Sequence, residues 1–205
     1  TDAGDYRLGS VDTALAAITA RSLTVTATAS DKVYDGTTTA TVALASADLV
    51  AGDAVTFDWA NALFDTKDVG AAKPITVSGI TLTGTDAANY VLQSASAAAS
   101  AAITPARLTI TARDLTKVFN TTLSFRGDEF RVDGLLADDA VTAVSLSSTG
   151  AAKTALPGTH AIVVGDAEGN GLGNHELPHW PGPPPVPHGS ILPARPQPLG
   201  PAAPH

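Results

Sequence analysis

Apolar and polar residues alternate in short runs along most of this chain. Leu23, Val25 and Ala27 are separated by Thr24 and Thr26, a period of two that is typical of a half-buried β-strand. Turn residues such as Asp35-Gly36 end these runs. The pattern predicts an all-β protein. Further strands are predicted at residues 39–44, 55–59, 75–77, 80–82, 90–92, 108–112, 123–125, 130–132, 141–147 and 160–164.

The Ala/Ser run at residues 94–102 fits the pattern less well. It lacks helix caps and a stripe of apolar residues at helical spacing, so we interpret it as an irregular or weak strand. Its high alanine content leaves a helix as the alternative.

The chain repeats itself at a spacing of about 85 residues. Residues 18–35 recur as residues 103–120, and Gly4-Asp5-Tyr6, Ala88-Asn89-Tyr90 and Gly173-Asn174-His175 recur at nearly the same spacing. Such self-similarity is the sequence signature of a tandem array. We therefore divide the chain into residues 1–20, the end of a preceding repeat; residues 21–105, the first repeat; residues 106–177, the second repeat; and residues 178–205, a tail. Without the rest of its own repeat, the segment 1–20 is expected to be frayed or loosely docked.

The tail differs sharply in composition from the repeats. It holds 11 of the 14 prolines of the chain, and no threonine follows Thr159. Proline lacks a backbone N–H and cannot take part in sheet ladders as a donor. We therefore expect a disordered, Pro-rich tail.

Composition and charge exclude several functions. The formal net charge is −8 and no Lys/Arg cluster is present, which argues against nucleic acid as a partner. Cysteine is absent, so disulfides and thiolate metal sites are excluded. No apolar run approaches the roughly 20 residues of a membrane-spanning helix.

Three short motifs have a tempting chemical interpretation. Arg126-Gly127-Asp128 is an RGD tripeptide that could engage integrins from an exposed loop; a plain turn between strands is the alternative we favour.

The sequence His175-Glu176-Leu177-Pro178-His179 matches the zinc-protease pattern HExxH, but Pro178 breaks the helix that this chemistry needs. Residues 166–171 resemble the start of a calcium loop that has Leu177 in place of the bidentate Glu, so a turn with solvated acidic residues is expected instead. We assign no catalytic or metal-binding residues and no cofactor.

Aromatic residues recur at the repeat spacing. Tyr6 and Tyr90 form one pair, and Tyr34 and Phe119 form another. We interpret them as packing anchors beside turns, with a binding role as the alternative.

The repeated residues resemble two known domain families. The first repeat looks like the YDG repeat of filamentous-haemagglutinin-like bacterial adhesins, and the second is similar to the related MBG-type repeat of the same proteins. The residues that carry the repeat motif are Lys32, Tyr34, Asp35, Gly36, Asn89 and Tyr90 in the first repeat, and Lys117 and Phe119 in the second.

The resemblance implies tandem β-domains in a very large secreted surface protein. Export through an outer membrane by a partner transporter, an extracellular location at the bacterial cell surface and a lack of enzymatic activity would follow. We expect a structural stalk whose partners are neighbouring repeats of the same polypeptide. The alternative is a module that binds host glycan or protein through residues 50–53 and 137–140.

We expect small sandwich-like (Ig-like) domains joined at Pro105, with a β-grasp-like variant as the alternative. The sequence departs from the pattern at His175, where Tyr is expected, and wholly after Leu177. Counting 85 residues from the end of the first repeat puts the last strand of the second at residues 186–189, inside the tail. The second repeat is therefore expected to lack its closing strand, which suggests a truncated or frameshifted reading frame.

Overall fold

A computed structural model describes residues 15–177 and the backbone of Ser190–Pro193. Tyr6, most of the segment 1–20, His179 and the remainder of the tail lie outside the described residues. What the sequence predicts for those positions therefore stays a prediction.

The described residues form an all-β protein, which confirms the predicted class. Their regular structure consists of β-strands and three short 3-10 turns, Ala87–Asn89, Thr149–Ala151 and Leu172–Asn174. The strands are β1 Arg21–Leu23, β2 Thr26–Ala29, β3 Lys32–Val33, β4 Val42–Ala45, β5 Thr56–Asp58, β6 Asn61–Phe64, β7 Gly70–Ser78, β8 Thr81–Thr83, β9 Tyr90–Leu92, β10 Ser96–Thr104, β11 Ala106–Arg107, β12 Thr109–Ala112, β13 Leu115–Lys117, β14 Phe130–Asp133, β15 Ala140–Ser147, β16 His160–Ala161, β17 Val163–Asn170, β18 His175–Glu176 and β19 Ser190–Pro193.

The first repeat is built on a four-stranded sheet with the order β3-β10-β7-β6. Strand β10 runs antiparallel to β7 and closes the sheet by pairing in parallel with β3, with Ile103 opposite Lys32. Small two-stranded sheets β1-β9, β2-β4 and β5-β8 surround it. Between them lies a continuous apolar core. Its most buried members are Tyr34, Ala40, Ala62, Phe64, Ile75, Val77, Ile80, Ala101, Ile103 and Ala106.

One strand prediction is confirmed and another is wrong. The Ala/Ser run at residues 94–102 lies mostly within β10, a nine-residue strand whose register shifts near its end, so its helix alternative does not hold. Ladder hydrogen bonds in a central strand outweigh the weak strand propensity of alanine. Residues 123–125, in contrast, form no strand; Leu123 and Phe125 are irregular and pack against the core of the second repeat.

The second repeat has a smaller core and no four-stranded sheet among the described residues. Its sheets are β11-β18, β12-β14, β15-β17 and β13-β19-β16. In this core Ala112 and Ile162 are buried, and half-buried side chains such as Leu146 and Val164 pack around them; Leu108 and Val144 are buried elsewhere in the same repeat.

The tail supplies a strand, which corrects the expectation that it cannot join a sheet. Strand β19 lies between β13 and β16, with Pro193 opposite Lys117 and Ile191 opposite His160. It takes the place that β10 has in the first repeat, a few residues beyond the predicted residues 186–189. Strand β19 has only four residues, against nine in β10.

The sandwich arrangement and its β-grasp alternative stay predictions, as do the domain boundaries. Within the described part of the chain no helix is long and apolar enough to cross a membrane.

Candidate functional site: the domain joint

The two repeats meet in a joint that holds all the buried polar residues of the described chain. These are Asp139, Asn174 and His175, which are at most 8% exposed. We define the domain joint as Tyr34, Gly36, Lys67, Asp68 and Val69 of the first repeat and Leu136, Ala137, Asp139, Asn174 and His175 of the second.

The covalent connection is short and partly buried. Strand β10 ends at Thr104, Pro105 follows, and β11 begins at Ala106. Ala106 is part of the core of the first repeat, and Leu136 of the second repeat packs against the same core. The apolar contact between the repeats is therefore continuous with the interior of the first one.

Asn174 bridges the repeats with both atoms of its amide. Its Oδ1 accepts a hydrogen bond from the Val69 backbone N–H at 3.0 Å, and its Nδ2 donates to Asp68 Oδ1 at 3.1 Å. A buried amide whose donor and acceptor are both used fixes orientation as well as distance. Asn174 therefore aligns one repeat against the other.

His175 lies beside Asn174 and is bonded to Asp139. Its Nε2 is 2.9 Å from Asp139 Oδ2, and both side chains are almost completely buried. Because a carboxylate only accepts hydrogen bonds, Nε2 must carry the proton. The buried Nδ1 makes no hydrogen bond; in a neutral ring it is then an acceptor and leaves no donor unpaired.

The first repeat contributes aromatic and cationic groups to the same cluster. The Tyr34 ring meets the His175 ring edge-on, with centroids 5.5 Å apart at 81°, a favourable aromatic geometry. Lys67 Nζ lies 4.0 Å from Asp139 Oδ1. The Tyr34 hydroxyl makes no hydrogen bond of standard geometry; burial and then the nearby Asp139 carboxylate raise the pKa of this phenol. The cluster joins the repeats by packing and charge together.

The repeat motif forms the turn that carries Tyr34 into the joint. Lys32 Nζ donates to Asp35 Oδ1 at 2.8 Å and to the Thr37 and Thr39 carbonyls at 2.8 and 3.0 Å. Burial alone would raise the pKa of Asp35, but the hydrogen bonds from Lys32 and Thr37 outweigh it and lower the pKa. These hydrogen bonds from the Lys32 ammonium group stabilise the turn.

Gly36 completes the turn where the first repeat comes close to Ala137 of the second repeat. Its φ is +77°, and a Cβ added there would lie 2.6 Å from the Ala137 Cβ of the second repeat. Only glycine combines that left-handed backbone with that contact at little cost.

The first repeat contains a similar set of contacts outside the joint. Tyr90 Oη donates to Asp53 Oδ2 at 2.5 Å and accepts from the Val50 N–H at 3.0 Å. The Asp53 carboxylate, followed by burial, raises the pKa of Tyr90. Asp53 N–H bonds to the Val50 carbonyl at 3.2 Å, as Asp139 N–H does to Leu136 at 3.1 Å. The pair Tyr90–Asp53 is thus the counterpart of His175–Asp139.

The remaining motif residues are placed as follows. Asn89 ends a 3-10 turn, with its N–H bonded to the Asp86 carbonyl. Lys117 repeats the role of Lys32, with Nζ bonded to the Thr121 and Ala152 carbonyls at 2.8 and 2.7 Å. Tyr34 and Tyr90 are buried, but Phe119 is 58% exposed. Phe119 is therefore not a packing anchor in the described chain.

The RGD tripeptide lies on a tight turn. The Glu129 carboxylate accepts hydrogen bonds from the backbone N–H groups of Arg126, at 2.9 and 3.1 Å, and Gly127, at 3.0 Å. The Gly127 carbonyl accepts from Val144 N–H at 3.0 Å. Arg126 and Asp128 are exposed on either side. The turn is fixed and its two charged side chains are accessible.

Neither metal motif is assembled in the described residues. They contain no group of three or more His, Cys, Asp or Glu side chains placed to hold an ion. The calcium-like segment was predicted to be a turn, but Asp166 and Glu168 lie in β17. His175 Nε2 is engaged by Asp139.

The sequence alone did not connect Lys67, Asp139 and Asn174 with one another or with Tyr34 and His175 in one site. A signal existed for two of them, since Asn89 and Asn174 recur in the repeat and Asp53 and Asp139 end similar loops. No recurring partner pointed to Lys67.

The joint defines an all-β protein of consecutive, directly packed domains. Comparison with family models identifies the domains: residues 19–98 match the YDG domain, and residues 108–177 match the MBG domain of the YGX type. The chain therefore contains a YDG domain followed by an MBG domain, as the resemblance indicated. Searches of curated proteins and of solved structures give no match. Neither domain is known as an enzymatic family.

Proposed function

We propose that this chain is a non-catalytic stalk segment of a large secreted bacterial adhesin. In this role its repeats stack through joints and hold binding regions away from the cell surface. The partners are then neighbouring repeats of the same polypeptide, with an outer-membrane transporter needed for export. The location is extracellular, at the bacterial surface.

The domain joint is the observation that carries this proposal. A flexible linker needs no buried polar contacts, whereas this connection uses Asn174 to orient the repeats and His175–Asp139 to fill the space between them. Inter-domain motion is the ordinary expectation for linked domains unless the interface is well built. A connection of this kind transmits position along a stack.

Rigidity of the joint can be measured in the full chain. Because the chain has no cysteine, Leu63→Cys and Val163→Cys place one spin label on an exposed position of each repeat. A narrow distance distribution is expected, and Asn174→Ala should broaden it. Thr142→Ala is the control, since Thr142 Oγ1 bonds to the Glu168 carbonyl within the second repeat. Broad distributions in the unmutated chain would reject a stalk.

The surface location needs a separate test. Antibody raised against this chain should label intact cells of the bacterium that encodes it. Labelling only after lysis would exclude the adhesin role while leaving the joint itself unaffected.

A host-binding module is the second candidate, favoured by the exposed Arg126 and Asp128 on their fixed turn. The loop at residues 137–140 is less available for binding than expected, because Ala137 and Asp139 belong to the joint. Host-cell attachment by the full chain should fall on Asp128→Glu if this candidate holds. Unchanged attachment rejects the RGD interpretation.

A further inference from the structure

The joint contains a histidine where the first repeat has a tyrosine in a similar setting. Tyr90 Oη donates to the Asp53 carboxylate, and His175 Nε2 bonds to the Asp139 carboxylate. A tyrosine hydroxyl stays neutral at physiological pH, whereas an imidazole in contact with water takes up a proton near about pH 6.5. The exchange of Tyr for His therefore places a group that titrates near neutral pH inside the contact between the repeats.

The closed joint offers no acceptor for a second proton on this ring. The His175 side chain is 0% exposed, and its buried Nδ1 has no hydrogen-bond partner. The hydroxyl of the neighbouring Tyr34 is also buried and makes no hydrogen bond of standard geometry. Protonation at Nδ1 would turn an acceptor into a buried donor without a partner, which disfavours the charged ring in the closed joint.

The charged groups around the ring offset this loss only in part. Asp139 would attract the imidazolium through Oδ2, but its Oδ1 already lies 4.0 Å from Lys67 Nζ. The Lys67 ammonium would repel a second positive charge placed on the same carboxylate. Asp138 is a further anion near Lys67, and Asp68 already accepts a hydrogen bond across the joint. None of these groups supplies an acceptor at Nδ1.

The charges on the strand of His175 and on its partner strand lie on the opposite face. Glu176 follows His175 in β18 and stands opposite Arg107 of β11, and both of these charged residues are exposed. His175 and its own partner Ala106 are buried. Because side chains alternate between the two faces of a strand, neither Glu176 nor Arg107 is placed to stabilise a proton on Nδ1.

Opening of the joint removes the penalty, since water then supplies an acceptor for Nδ1. Below about pH 6.5 the open joint therefore binds more protons than the closed joint. The closed joint keeps its full stability above this pH and loses stability as the pH falls below it.

We propose that the joint between the two repeats is released by acid, with His175 as the group that takes up the proton. Release separates Asn174 from Val69 and Asp68, so the repeats lose their fixed orientation while each keeps its own strands. The inference rests on the closed joint of the proposed stalk and is independent of its location at a cell surface.

The Val69 amide reports closure of the joint, since its N–H bonds to Asn174 Oδ1 of the other repeat. Hydrogen exchange of the full chain, followed by NMR, gives the protection factor of this amide after correction for the intrinsic effect of pH. We expect this factor to fall at least about fivefold between pH 7.5 and pH 5. The Ala40 N–H bonds to the Ala62 carbonyl inside the first repeat and should keep its protection.

His175→Gln removes the titrating group but keeps a donor, because a glutamine amide can bond to the Asp139 carboxylate. In this variant the protection of Val69 should be the same at both pH values. His175→Tyr is a second variant without an imidazole and should behave in the same way.

His160→Asn is the matched control, because it removes a histidine of the second repeat outside the joint. His160 Nε2 lies 3.0 Å from the Leu156 carbonyl. This variant should keep the full loss of Val69 protection in acid.

A Val69 protection factor that is high at pH 7.5 and unchanged at pH 5 would overturn the inference and leave the stalk proposal intact. So would an equal loss of protection in His175→Gln and His175→Tyr. Low protection of Val69 already at pH 7.5 would overturn both proposals, because the joint would then be open in solution.

Discussion

The two repeats share a motif but differ in how much of the chain they bury. The first has a nine-residue closing strand and eleven buried apolar residues, and the second has a four-residue closing strand and five, among the residues that the structure describes. Both keep the lysine that organises the turn after the short strand, Lys32 and Lys117. Turn chemistry is thus retained where core packing is not, because the turn depends on near neighbours and the core depends on a complete sheet.

Truncating one core isoleucine in each repeat should reveal the largest difference in stability between the two repeats. Ile75 lies in β7 opposite Ala99 of β10, and Ile162 directly follows β16, which pairs with β19; they are 1% and 3% exposed. We expect Ile75→Ala to lower the free energy of unfolding by about 3–4 kcal/mol and Ile162→Ala by about 2 kcal/mol, since a looser site collapses more easily around the cavity. Urea unfolding followed by circular dichroism measures both.

Ile18→Ala serves as the control for this pair and should change the free energy of unfolding by less than about 0.5 kcal/mol. Equal losses at Ile75 and Ile162 would show that the second core is as well packed as the first.

Removing His175 should cost more than removing the hydroxyl of its counterpart Tyr90. His175→Ala leaves Asp139 buried without its partner, for which we expect about 2–3 kcal/mol of destabilisation. Tyr90→Phe removes a half-buried hydrogen bond to Asp53, for which about 1 kcal/mol is expected. Thermal unfolding of the full chain is the measurement. A larger effect at Tyr90 would mean that the His175–Asp139 pair in the joint contributes less than the Tyr90–Asp53 pair.

Gly36→Ala should separate backbone strain from contact across the joint. At Gly36 an added methyl group would meet Ala137, whereas Gly52 has φ of +100° with nothing within 4 Å of the added Cβ. Gly52→Ala should cost about 1 kcal/mol from the left-handed backbone alone, and Gly36→Ala about 2 kcal/mol because the joint must also open. Chemical denaturation of the two variants gives the difference, which vanishes if the repeats do not touch in solution.

The smallest effect concerns the acid sensitivity of the motif turn. The pKa of Asp35 is lowered in the folded chain, chiefly by Lys32 and Thr37 acting against burial. Its stabilising contribution is therefore complete above the unfolded pKa of about 4 and is lost as the pH falls through the lower folded value. Asp35 is half exposed, so solvent screening keeps this contribution below about 1 kcal/mol.

Asp35→Asn tests the point, because Asn120 stands at the equivalent place in the second repeat. Unfolding measured from pH 7 to pH 3 should lose part of its pH dependence in this variant. An unchanged pH profile would show that the ion pair with Lys32 adds nothing measurable.

Local patterns were enough to predict the strands and turns whose neighbours are close in sequence. The alternation of Leu23, Val25 and Ala27 and the turn at Gly36 were readable because each depends on a few adjacent residues. The strand at Ser96–Thr104 was harder, since alanine and serine gain their strand conformation from β3 and β7. Leu123 and Phe125 show the opposite case. Their apolar spacing predicts a strand, but these residues form no strand and pack against the core of the second repeat.

The candidate site was only half visible in the sequence. Tyr34, Asp35 and Gly36 stood out because they recur or mark a turn, but the residues they meet are about a hundred positions away. The sequence marks His175 as a departure from Tyr and as part of a metal motif. Only the structure shows that its hydrogen-bond partner is Asp139. Long-range pairing leaves no trace in a single sequence unless both partners recur.

The sequence by itself determined that this protein is a β-rich array with a period of about 85 residues, because alternation and turn chemistry are local properties. Only the tertiary structure shows that the two repeats pack directly against each other and which residues make the contacts between them. Burial of Asn174, His175 and Asp139 is a property of the space between two domains, and such space exists only once both have folded. Ile103, which pairs with β3, lies in the core, whereas Ile18 has nearly the same neighbours in sequence and is exposed.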